Sequence, residues 1–69
     1  METDTRQKNI TTLEEIISHL DEAMRLCKSL DLSQIPEIDQ SEWENRMKVS
    51  KDAIEFTKGS VERLQKILG

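Results

Sequence analysis

From Leu13 onward, apolar residues recur in alternating steps of three and four: Leu13, Ile16, Leu20, Ala23, Cys27 and Leu30. With Ile17 and Met24 they fall within an arc of about 140° at 100° per residue. Glu14, Glu15, Ser18, Asp21, Glu22 and Arg25 take the remaining circumference. Such a pattern is the seam of an amphipathic helix. Thr11 and Thr12 are each followed three residues later by a glutamate, so two capping boxes overlap at the start. The spacing predicts a first helix over 11–30, after a polar, flexible lead-in over 1–10.

A second pattern begins at Trp43 and continues through Met47, Ser50, Ile54, Thr57, Val61, Leu64 and Leu68. Val49, Ala53, Phe56, Ser60 and Ile67 form another stripe beside it. The two together span about 180°, more than one antiparallel neighbour covers. A second helix is therefore expected over 42–68, with a loop over 31–41 in which Pro36 forbids a continuous helix. Two starts fit equally well. Asp39 as N-cap pairs Ile38 with Trp43 as a hydrophobic staple, and Ser41 as N-cap places Glu44 three residues on. Gly59 falls on the solvent side and marks a candidate bend.

The fold class expected is all-α, a single domain built as an antiparallel hairpin of two helices. With Leu30 set opposite Trp43, Leu20 falls opposite Ile54, and Leu13 opposite Ser60 and Val61. The second helix then overhangs the first by about 12 Å at 1.5 Å per residue. Its last turns would expose Leu64, Ile67 and Leu68, with only Ile10 near them. Val49, Ala53, Phe56, Ser60, Leu64, Ile67 and Leu68 are accordingly the expected partner-binding residues, since long exposed apolar strips mark interaction sites.

Chain length strengthens that expectation. The chain has 69 residues, and chains below roughly 70–80 residues seldom obtain more than about 3–5 kcal/mol from their own core. They commonly add a disulfide, a metal or another subunit. Cys27 has no second cysteine to pair with, and structural zinc needs four ligands where the chain offers Cys27 and His19. Association remains, either with a second copy as a four-helix bundle or with a different helical protein.

Charge narrows the partners. The net charge is −4, with 35% charged and 3% aromatic residues. This acidic balance argues against nucleic acid and against an anionic membrane surface. No apolar run approaches a membrane span, and the start of the chain lacks the features of a signal peptide. A lone cysteine fits a reducing compartment, so cytoplasmic localisation is expected. Residues 12–31 carry five acids and two bases, whereas 42–69 carry five acids and six bases. That difference favours packing the helices side by side.

Few residues suggest chemistry. His19 sits between Glu15 and Glu22 at helical spacing, a set that could hold a divalent ion weakly or act as a base. Without pocket-forming neighbours it reads as solvated surface. Cys27 and the facing Met24 and Met47 read as packing residues. Trp43 is expected to close the loop end over Ile35, Pro36 and Ile38, and Arg46 to extend to solvent from within the apolar arc. No nucleotide-binding, metalloprotease, redox or triad motif is present. The expected chain is non-enzymatic, with no cofactor and no metal.

A short acidic chain, two helices joined by a loop, and a longer second helix with apolar stripes resemble the small co-chaperones of type III secretion needle subunits. The resemblance implies a hairpin that pairs with a TPR-like chaperone and keeps the needle protein soluble. It implies Val49, Ala53, Phe56, Ser60, Leu64 and Ile67 as the partner face. A regulatory inhibitor or antitoxin-like protein that masks a target enzyme is the alternative. The secreted hairpins with a Trp-x-Gly turn fit less well, because Trp43 opens the second helix instead.

Overall fold

The computed structural model describes residues 2–69, with side-chain surroundings from Asp4 onward. Two α-helices, α1 (Glu2–Ser29) and α2 (Glu37–Leu68), pack against each other as an antiparallel hairpin about 57 × 15 × 12 Å in extent. No strand occurs among the described residues. The all-α hairpin expected from the spacing is the fold.

The helix boundaries differ from those expected. The described part of the lead-in is helix, so α1 begins at Glu2 rather than at Thr11. Met1 lies outside the described residues. Thr12 does not cap: its hydroxyl donates to the Lys8 carbonyl, 2.9 Å away, inside a helix already under way. What overrides the capping signal is tertiary. The Arg6 guanidinium donates to the carbonyls of Leu68 and Gly69, which a helix C-terminus leaves without intrahelical donors. The extra turns of α1 lie along the part of α2 that was expected to overhang.

The connection is shorter than 31–41. The Asp31 carboxylate accepts from the Ser33 backbone N–H at 2.9 Å, a turn that also lowers the Asp31 pKa, with the Ser33 hydroxyl contributing. The Gln40 side-chain amide donates to the Ile35 carbonyl at 3.0 Å and to that of Ser33 at 3.4 Å, tying the loop to α2. Pro36, at φ −50°, stands immediately before α2. Its fixed φ suits a helix start and its missing N–H costs nothing there. Asp39 and Ser41 are both inside the helix, so neither is the N-cap. Glu37 and Asp39 instead place negative charge in the first turn, where the helix dipole favours it. Helix α2 continues without interruption through Gly59.

The seam is rotated from the one expected. On α1 the protected residues are Ile10, Leu13, Ile17, Leu20, Met24 and Cys27, with Ala23 beside them. Along the seam of α2 they are Met47, Lys51, Ile54, Lys58, Val61, Gln65 and Leu68, with Asp39, Gln40 and Gly59 also partly covered, while Ser50, Thr57 and Leu64 are exposed. The shift on α2 amounts to about 40°. Lysine stems cover apolar surface while the ammonium reaches water, and Lys58 Nζ reaches Asp21 on α1 at 2.6 Å. Among the described residues Leu13, at 7% exposure, is the sole buried hydrophobic residue, and no side chain is fully buried.

Candidate protein-interaction surface

Packing two helices side by side creates two broad faces, and the sequence fills them differently. Across one face run Asp21, Arg25 and Lys28 from α1, with Glu55 and Lys58 from α2, lining a shallow groove over Leu20, Met24 and Ile54. The Asp21–Lys58 ion pair bridges the helices here, and Asp21 raises the Lys58 pKa through its hydrogen bond and its charge. Arg25 also pairs with Glu22, holding the Glu22 pKa down.

The opposite face carries no charge over most of its length. Every charged residue of 11–29 falls within an arc of about 140° on α1, and every charged residue of 47–68 within a similar arc of about 140° on α2. Both arcs are turned away from this face. Asn9, Thr12, Leu13, Leu64 and Leu68 line a groove at its open end. Ile16, His19 and Ala23 continue it along α1, with Leu30 just beyond the helix end, and Ser50, Ala53 and Thr57 along α2, as the helical repeat requires.

A third feature is a line along the back of α2. Ile38, Val49, Phe56 and Ile67 fall within about 20° of one another, on the side remote from α1. Their exposures are 90%, 60%, 77% and 77%.

The seven expected partner-binding residues are thus divided among surfaces. Ala53 and Leu64 lie on the uncharged broad face, with Ser60 at its margin toward the back. Val49, Phe56 and Ile67 belong to the back line. Leu68 is half-buried within the hairpin beside Leu13 and Leu64. Ile38 and Leu26 are exposed apolar residues that the sequence reading did not place on a partner surface. The signal for Ile38 was its spacing of eleven from Val49, matched by the spacing from Phe56 to Ile67. Leu26 had no such signal, because it stands outside the 140° arc.

The remaining candidates are local. His19 is exposed, and no group of three metal-ligating side chains occurs among the described residues. Cys27 is a free, half-buried thiol on the seam. Trp43 is 43% exposed and has the Arg46 guanidinium 5.1 Å above its ring. Arg46 in turn donates to Glu42 at 3.0 Å. Since Ile38 is 90% exposed, Trp43 does not close over it as expected. Among the described residues no helix is long and apolar enough to cross a membrane. Comparison with known proteins gives no matching family model, no matching curated protein and no matching solved structure.

Proposed function

We propose that the chain is a small non-enzymatic interaction module, a co-chaperone, adaptor or assembly subunit, that binds a helical partner along the back of α2. The observation carrying this reading is the line of Ile38, Val49, Phe56 and Ile67, which α1 leaves uncovered. An apolar line at helical spacing is what a partner helix or helical groove recognises. Burying four such side chains supplies roughly 6–12 kcal/mol before the costs of association. Within this class, the resemblance to type III secretion co-chaperones suggests a TPR-like chaperone or a helical secretion subunit as the partner.

The test compares wild-type chain with a Phe56→Glu, Ile67→Glu variant as affinity baits in the same lysate. A helical protein should be retained by the wild type and lost by the variant. That protein, once purified, should bind the wild type at least about 30-fold more tightly, because charge in a hot-spot position costs 2 kcal/mol or more. Equal capture by both baits would overturn the reading.

A further inference from the structure

We propose that the uncharged broad face is closed by a second copy of this chain, giving a four-helix bundle that leaves the back line of α2 free. This goes beyond the partner reading and concerns a different surface.

The first support is area. A compact protein of 8.0 kDa exposes roughly 4,450 Å², whereas this hairpin exposes 5804 Å². The excess is about 1,350 Å² for each chain. Two copies covering it would bury about 2,700 Å² in total, within the roughly 2,000–5,000 Å² of obligate homodimers.

The second support is polar satisfaction. The face contains hydroxyls, and burying an unpartnered hydroxyl is costly. Here the hydroxyls are already bonded within their own helices. Thr12 donates to Lys8 O at 2.9 Å, Ser50 to Arg46 O at 3.0 Å, Thr57 to Ala53 O at 2.8 Å, and Ser60, at the margin, to Phe56 O at 3.2 Å. Nothing across the interface has to receive them. Ala23, Ala53 and these small residues also permit close approach of facing helices.

The third support concerns which occupant fits. The face is two helices wide, and a single partner helix about 10 Å across would fill only the groove between them. A second hairpin matches its width and length. Over 11–29 and 47–68 the face meets its own copy without like-charge repulsion, which the opposite face would not. Nearer the loop, Arg46 and Glu42 on this face are paired with each other.

The experiment is sedimentation equilibrium of the full chain at micromolar concentration, with helicity measured on the same samples. The wild type should sediment at twice the 8.0 kDa chain mass. Ala53→Arg should weaken self-association at least about 30-fold, while Glu55→Arg on the charged face should leave it unchanged. Should Ala53→Arg lose its helicity, a mixed sample of isotopically labelled and unlabelled wild type decides. Intermolecular proton contacts at the methyl groups of Ala23, Ala53 and Thr57 would support the proposal. Contacts only at Val49 and Ile67, or dissociation by Phe56→Glu and not by Ala53→Arg, would overturn it and place the second copy on the back line. A monomer at every concentration would also overturn it, yet would leave the helical-partner reading standing, since the bait comparison tests that separately.

Discussion

The two broad faces of the hairpin share a backbone and differ almost wholly in side-chain chemistry. On the charged face, flexible side chains span the seam, and Lys58 reaches Asp21 across it. On the other, short hydroxyl residues fold back onto their own helix and leave a surface without charge over most of its length. A face meant for water has no reason to exclude charge in a chain that is 35% charged. Solvent exposure therefore has two chemistries in this hairpin, and the proposed second copy would cover only the uncharged one.

The seam between the faces should carry most of the chain's own stability, and the largest effect is expected there. Leu13 is the one buried hydrophobic residue among the described residues and lines the groove with Leu64 and Leu68. Leu13→Ala should cost about 2–5 kcal/mol, since it removes buried methyl groups and leaves a cavity. Urea unfolding at one fixed protein concentration would measure it, because association and stability are linked. A loss no larger than that of an exposed substitution would mean that the seam is not the core and that the faces are not independent of it.

Next in size is the tie at the open end. Arg6 donates to the Leu68 and Gly69 carbonyls, so Arg6→Ala should cost about 1 kcal/mol and loosen the last turn of α2. Hydrogen exchange at the amides of α2's last turn, which that tie holds in helix, would show it as faster opening. Unchanged exchange would mean that the Arg6 tie does not hold the last turn of α2.

That tie also shows where sequence pattern reaches its limit. The hairpin, Leu20 beside Ile54 and the exposure of Phe56 and Ile67 all follow from periodicity, which depends only on which residues repeat. The helical state of the lead-in does not, because Asp4 to Asn9 carry no apolar repeat and their support comes from α2, some sixty residues away in sequence. The 40° rotation of α2 was hidden for a related reason. Lys51 and Lys58 count as polar in any pattern, yet their methylene stems can replace Ser50 and Thr57 at the seam. Division of the partner residues into a broad face and a back line follows from that rotation.

The smallest effect should come from the charged face itself, and its pH dependence carries a definite sign. Lys58 is held above the ordinary lysine value of 10.5 by its hydrogen bond to Asp21, then by the Asp21 charge. Its contribution is therefore fully present below that value and is lost as pH rises through the raised one. Glu22 and Asp31 are held below their ordinary values of 4.5 and 3.8, by Arg25 and by the Ser33 backbone respectively. Their contributions are present above those values and disappear as pH falls through the lowered ones. Between these limits the three groups contribute no slope of their own to the melting temperature. Asp21→Asn should lower it only slightly at neutral pH, because exposed ion pairs contribute little and salt screens them. The variant should also lose part of the alkaline decline that Lys58 produces in the wild type. A melting temperature that falls as far as that of Leu13→Ala would show that the charged face holds the hairpin together, and the contrast between the two faces would fail.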